Sequence, residues 1–193
     1  MFRLPPKSQL LERVKPSRAH WRHASRPARI EPVGEGEESV WDFPRPPRLE
    51  PVASRLRVEV AGVVVAETTR GYRILETAGA PVYHFPSEDV AMEHLEPTGR
   101  ITVCEWKGAA TYFDVVVGKT RRSEAAYTYP DPFDDLGQGF AKIAGFIVFY
   151  ASRVDGAFID DIKVTPQPGG YYSGWVTPNL RGPIKGDPGS EGW

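Results

Sequence analysis

Between Cys104 and Tyr112 the chain reads Cys-Glu-Trp-Lys-Gly-Ala-Ala-Thr-Tyr, which puts its only cysteine three residues before a lysine and a glycine, with aromatics on either side. A nearby ammonium can lower a thiol pKa and create a nucleophilic thiolate. In an unbroken strand, however, positions 104 and 107 face opposite sides, so the pair meets only if a bulge or turn near Gly108 re-aims Lys107. The plainer reading makes Cys104 a small buried hydrophobe. Lys107-Gly108 can instead present a cation and an open backbone N–H to a phosphate or carboxylate, since glycine allows close approach. The alternative is an ordinary hairpin turn with a solvated lysine. Trp106, Tyr112 and Tyr129 can add an aromatic wall to a pocket there.

Other chemistry-bearing residues are more scattered. His84 falls in an expected strand and His94 near the end of an expected short helix, and either can act as a general base. Neither has an orienting partner nearby in sequence, which favours structural histidines. His20-x-x-His23 has metal-like spacing, but two ligands are too few for zinc. Asp131, Asp134 and Asp135 lie in a Pro-rich loop, and Asp160-Asp161 are neighbours on a strand, where adjacent carboxylates point to opposite faces. Turn chemistry and solvation explain both sets, so no metal site or cofactor is expected.

The elements that must position these residues are short. The 193 residues include 19 Gly and 19 Pro, which exclude long helices and point to many strands joined by turns. One cysteine excludes an internal disulfide and suits a reducing cytoplasm. No signal-peptide core is evident, and the longest apolar run, 143–150, is too short for a membrane span of roughly 20 residues.

Residues 1–30 carry eight basic side chains against Glu12 alone, whereas the rest of the chain holds 16 basic and 24 acidic residues. A basic arm can attach to nucleic acid or anionic lipid, or lie solvated or docked on its own acidic domain; the acidic body itself argues against nucleic acid.

Residues 1–39 therefore read as a flexible basic arm with a short helix near 8–14 and an acidic linker. Residues 40–164 read as one β domain and 165–193 as an aromatic, Gly/Pro-rich extension packed on it. Within the domain, alternation at 57–60 and 63–66 predicts a hairpin. Strands follow at 72–76 and 81–85; in the second, Val82 and His84 face one side and Tyr83 and Phe85 the other. Ser87, Glu88 and Asp89 predict a capped helix over 88–95. Strands at 101–106, 111–117 and 120–129 surround the Cys104 block, 143–150 reads as a central strand buried on both faces, and 157–164 closes the body.

Trp41-Asp-Phe-Pro-Arg-Pro-Pro-Arg, Leu75-Glu-Thr, Pro81-Val-Tyr-His-Phe-Pro, Cys104-Glu-Trp-Lys-Gly with Tyr112, Tyr129-Pro-Asp-Pro, Ile143-Ala-Gly and Val154-Asp occur in one order. This series resembles the family called domain of unknown function 427 over about residues 40–164. The resemblance implies a compact, mostly antiparallel β fold of the Mss4-like, or β-tent, group. Relatives in that group often bind zinc through paired Cys-x-x-Cys motifs, whereas Cys104 stands alone here. The nucleotidyltransferase label attached to the family implies magnesium held by carboxylates near a Gly-Ser motif, and no such constellation occurs in this chain.

The function expected is binding of a small polar or anionic ligand by Trp41, Tyr83, Cys104, Trp106, Lys107, Gly108, Tyr112 and Tyr129. An enzyme using the same pocket, with Cys104 or His84 as nucleophile or base and Lys107 as anion stabiliser, and a protein-interaction module are the alternatives. The sequence carries no indication of oligomeric state.

Overall fold

The computed structural model describes residues 4–193. One α-helix, α1 (Lys7–Trp21), precedes β1 (Glu38–Ser39), β2 (Arg48–Pro51), β3 (Leu56–Val60), β4 (Val63–Thr68), β5 (Tyr72–Leu75) and β6 (Val82–His84). Three long strands follow, β7 (Leu95–Cys104), β8 (Gly108–Val117) and β9 (Thr120–Thr128). Then come β10 (Ile147–Phe149), β11 (Gly156–Ile159), β12 (Ile162–Lys163), β13 (Thr165–Pro166), β14 (Trp175–Val176) and β15 (Leu180–Arg181).

The fold is mainly β and largely antiparallel. One sheet has the order β10-β9-β8-β7, a second β2-β5-β6, and a third β12-β11-β3-β4. Phe85 and Ile147 exchange backbone hydrogen bonds of 2.8 Å in both directions, which joins the first two sheets through β6 and β10. Among the described residues the short β1-β15 ladder and an isolated Lys185–Asp187 bridge are parallel.

Period-two patterning decides which face each side chain occupies. On β3, Leu56, Val58 and Val60 are fully buried while Arg57 and Glu59 are not, and the expected hairpin with β4 is present. Phe85, Ala126, Ile147 and Phe149 join these valines and Trp175 in the main core. The residues between them, Tyr127 and Val148 directly paired across β9 and β10, turn to the opposite face with Ala110, Tyr112, Tyr129 and Tyr150.

Three sequence expectations are revised. The helix expected over 88–95 is two single 3₁₀ turns, Ser87–Asp89 and Met92–His94, with β7 starting at Leu95. Pro86 rather than Ser87 holds the N-cap position, which has no side-chain cap, and Asp89 accepts hydrogen bonds from Thr68 Oγ1 and from Arg70 just beyond β4. Pro97 fits inside β7 because that strand lies at a sheet edge, where a missing N–H costs no ladder bond. The strand expected over 143–150 narrows to β10; Phe140–Ile143 is a 3₁₀ turn, and Gly145 at φ 76° reverses the chain.

The arm is the third revision. Lys7–Trp21 is a docked helix rather than a free tail. Leu10, Val14 and Arg18, four residues apart on one face, are buried, and the two apolar side chains pack with Ala109 and Phe133. Arg18 makes a two-pronged ion pair with Asp135 at 2.6 and 3.0 Å.

Candidate functional site

The Lys107 turn is built by clamping a three-residue loop. Cys104 and Gly108 are cross-strand partners at the end of β7 and β8, so Glu105, Trp106 and Lys107 form the connection and strand alternation no longer governs where Lys107 points. Gly108 sits at φ 95°, a region glycine enters freely, and a Cβ there would press on the Phe133 ring at 3.3 Å. The Lys107 carbonyl accepts from the Phe133 amide, and the Glu105 carbonyl accepts from Arg18 Nε at 2.6 Å. The Arg18 guanidinium also stacks on Trp106 and Phe133. Helix α1 thereby holds the loop that aims Lys107 inward.

Lys107 opens into a cavity of about 360 Å³ on the tyrosine-bearing face of the sheet. The residue is only 7% exposed, no carboxylate among the described residues pairs with its ammonium, and its Nζ lies 5.9 Å from the centre of the Tyr129 ring. Burial opposes its charge, but the negative field of the nearby carboxylates Glu76 and Glu105 favours it, and its pKa lies above the ordinary lysine value. Glu76, just beyond β5, is likewise resisted by burial, and Lys185, Lys107 and Arg45 more than compensate, keeping it below the usual carboxylate range. Its Oε1 lies 3.5 Å from Lys185 Nζ and 3.4 Å from Arg45 Nε.

The C-terminal segment supplies another wall. Gln167 accepts from Ala80 N and donates to the Lys185 carbonyl, while Lys185 N donates to Ala78 O, fixing the backbone from which Lys185 enters the cavity. Lys185 Nζ lies 4.9 Å from the centre of the Tyr172 ring. Ser173 and Tyr127 join their hydroxyls at 2.7 Å. Trp21, at the end of α1, completes the enclosure from the N-terminal side.

Of the sequence-derived candidates, Cys104, Lys107, Tyr112 and Tyr129 line this cavity together. Burial raises the Cys104 thiol pKa and outweighs the lowering by Lys107, so the thiol is the neutral form at neutral pH. Burial raises Tyr129 well above its ordinary value, and Tyr127 to about 12, leaving both as neutral phenols. Trp106 is buried beside Ile74, Phe140 and Ile143 rather than lining the cavity, and Gly108 serves the turn.

Tyr83 is on the main-core face, stacked 5.0 Å from Trp175. Trp41 belongs to a separate cluster, 5.5 Å from Trp193, with Nε1 donating to Pro183 O. His84 is fully buried, does not line the cavity, and has no partner for either ring nitrogen among the described residues; burial, aided by Lys107, pushes its pKa down to about 3. It is therefore a neutral imidazole and a weak base, not a lining residue.

His94 Nδ1 is 2.9 Å from Val116 O. Asp131 pairs with Lys7, Asp134 caps the amides of Gly139 and Phe140, and Asp160 accepts from Arg55 N. No group of three potential metal ligands gathers among the described residues.

Sequence reading missed Glu76, Tyr127, Tyr150 and Lys185. The two tyrosines could have been found by extending the parity of Tyr129 across β9 and onto β10. Lys185 arrives from more than 70 residues beyond Lys107 through loop contacts with no periodic signal.

Fold and site together define a mainly β protein whose sheet face, helix α1 and C-terminal segment enclose a cavity of cations and tyrosines. A family model described as domain of unknown function (DUF427) matches residues 48–160, well over half of the chain, and the chain belongs to that family. No curated protein matches it. Lys107, Glu76 and the tyrosines of β8 and β9 fall inside the matched span, whereas Trp21, Tyr172 and Lys185 fall outside it.

Proposed function

We propose that this protein binds a small polar or anionic molecule in the cavity around Lys107. The observation that carries the reading is a lysine more than nine-tenths buried, charged, directed into a cavity and lacking a direct ion-pair partner among the described residues. Buried charges are ordinarily paired, and an unpaired one persists where a ligand supplies the opposite charge. Lys185 adds a second ammonium, Glu76 an acceptor for a ligand hydroxyl or amine, and the neutral tyrosines flat surfaces and phenol donors.

The catalytic alternative gains little from the same groups. A nucleophilic cysteine needs a depressed pKa and Cys104 has a raised one; a general base must reach the substrate and His84 does not line the cavity. The resemblance-based placement in the Mss4-like group is supported by antiparallel sheets packed over one core, and a cytoplasmic location agrees with a lone unbridged thiol. The basic arm is partly committed elsewhere, through Lys7 to Asp131, Arg18 to Asp135 and Arg26 over Trp41, which weakens the case for nucleic acid as its partner.

Lys107→Met keeps most of the aliphatic stem and removes the ammonium. Native mass spectrometry of the purified protein, followed by calorimetric titration of the retained molecule or of a panel of small carboxylates and phosphates, should show binding weakened by about 1.5 to 3 kcal/mol in the variant. Equal binding by a folded variant would remove Lys107 from the site and the cavity from its assigned role.

A further inference from the structure

The four cations lining the cavity differ in depth. Lys107 and Lys185 are 7% and 8% exposed, whereas the Arg100 and Arg153 side chains are 44% and 30% exposed and stand nearer solvent. Tyrosines run between the two pairs. Tyr129 is 5.7 Å from Tyr127, which is 5.6 Å from Tyr112 and 5.5 Å from Tyr150. Lys107 addresses the Tyr129 ring at one end of this track; at the other, Arg100 lies 4.8 Å over Tyr112 and Arg153 4.3 Å over Tyr150.

At the inner end Lys107, Lys185 and, behind them, Arg45 face Glu76 and Glu105; at the outer end Arg100 and Arg153 face Glu124. Glu76 is shared among Lys185, Arg45 and the field of Lys107. Glu124 is shared by Arg100, which it contacts directly, and Arg153, 3.7 Å away. Across the lining as a whole, Lys107, Lys185, Arg100 and Arg153 face Glu76 and Glu105.

Resting on the anion-binding reading above, we infer that the cavity takes an elongated molecule with an acidic group at each end and a planar ring between them. The inner acid meets Lys107 and Lys185, the ring lies along the tyrosines, and the outer acid meets Arg100 and Arg153. A guanidinium stacked on a ring keeps N–H donors free at its edge, where a planar carboxylate or a phosphate can accept two at once. With the inner group anchored, the outer contact becomes intramolecular and gains from high effective concentration. Glu124 competes with the ligand for the outer guanidiniums, so its charge limits affinity for a second acid.

Three probes test the arrangement by calorimetric titration of the full chain: benzoate, terephthalate, and a biphenyl carrying a carboxylate at each far para position. The expected result is at least one diacid binding about tenfold or more tighter than benzoate. Arg100→Gln with Arg153→Gln should bring that diacid to the benzoate level while leaving benzoate unchanged, and Arg100→Gln alone should give part of the loss if the double variant melts early. Glu124→Gln should tighten diacid binding several-fold and leave benzoate unaltered. Lys107→Met should weaken all three probes. Equal affinity for benzoate and both diacids, or no effect of the arginine and Glu124 variants, overturns the two-ended ligand while leaving the Lys107 reading in place. Failure of every probe to bind the unaltered protein would reject both.

Discussion

Acid should destabilise this protein through His84. Its ring is fully buried and neither nitrogen has a partner among the described residues, so the charged form is resisted by burial first and by Lys107 second, and the pKa falls from 6.5 to about 3. In the unfolded chain the imidazole takes up a proton near pH 6.5, whereas the native one does not until about pH 3. Between these values the unfolded state binds more protons, so stability is full above the upper one, falls as pH falls, and levels off below the lower one. Each pH unit inside the window is worth about 1.4 kcal/mol, giving a loss of about 2 kcal/mol by pH 5 and about 5 kcal/mol at the acid limit.

The assay is urea unfolding at pH 7, 6 and 5 for the unaltered protein and for His84→Leu, which removes both orphaned nitrogens at similar volume. At pH 7 the two should differ by less than about 1.5 kcal/mol, because a small packing mismatch is offset by relief of unpaired buried polar atoms. Between pH 7 and 5 the unaltered protein should lose about 2 kcal/mol more than the variant. The depressed surface carboxylates Asp89, Asp135 and Asp155 titrate in both proteins and largely cancel in the difference. Parallel pH dependence in the two would refute the reasoning, since it requires His84 to be hydrated or hydrogen-bonded.

Gly108→Ala should cost about 1 to 3 kcal/mol by forcing a side chain into φ 95° against Phe133, and should also weaken ligand binding by shifting Lys107; an unchanged urea midpoint would show that the turn relaxes freely. A chain beginning at Val40 should lose at least about 3 kcal/mol, since Leu10 and Val14 leave their places against Ala109 and Phe133; a thermal melt matching the full chain would contradict the docking of α1. Truncation after Val164 removes the fully buried Trp175 and should lower stability by at least about 3 kcal/mol, which denaturant titration can check.

Periodicity alone made the strands legible. Leu56, Val58 and Val60 alternate with charged residues, and the parity that sets Val82 and His84 opposite Tyr83 and Phe85 follows from the pleat, which is local. The same parity excluded Tyr83 and His84 from sharing one pocket face, a constraint the grouping of candidates did not apply. Cys104, Lys107, Tyr112 and Tyr129 could be chosen from a single stretch of sequence because β7, its turn, β8 and β9 are consecutive, and consecutive antiparallel strands bring their residues together.

What tertiary structure alone decided is the rest of the enclosure and the state of its groups. Lys185 and Tyr172 reach the cavity through Gln167 and the Ala78 carbonyl, contacts between segments about 90 to 110 residues apart with no repeating pattern to announce them. The helix at 7–21 carries only two buried aliphatic residues on its docked face, too weak a stripe to read, and becomes part of the body because Arg18 finds Asp135 and the Glu105 carbonyl. Residue type names what can ionise, but burial and neighbouring charge decide what does: in the same region they leave Cys104 and His84 neutral and Lys107 and Glu76 charged.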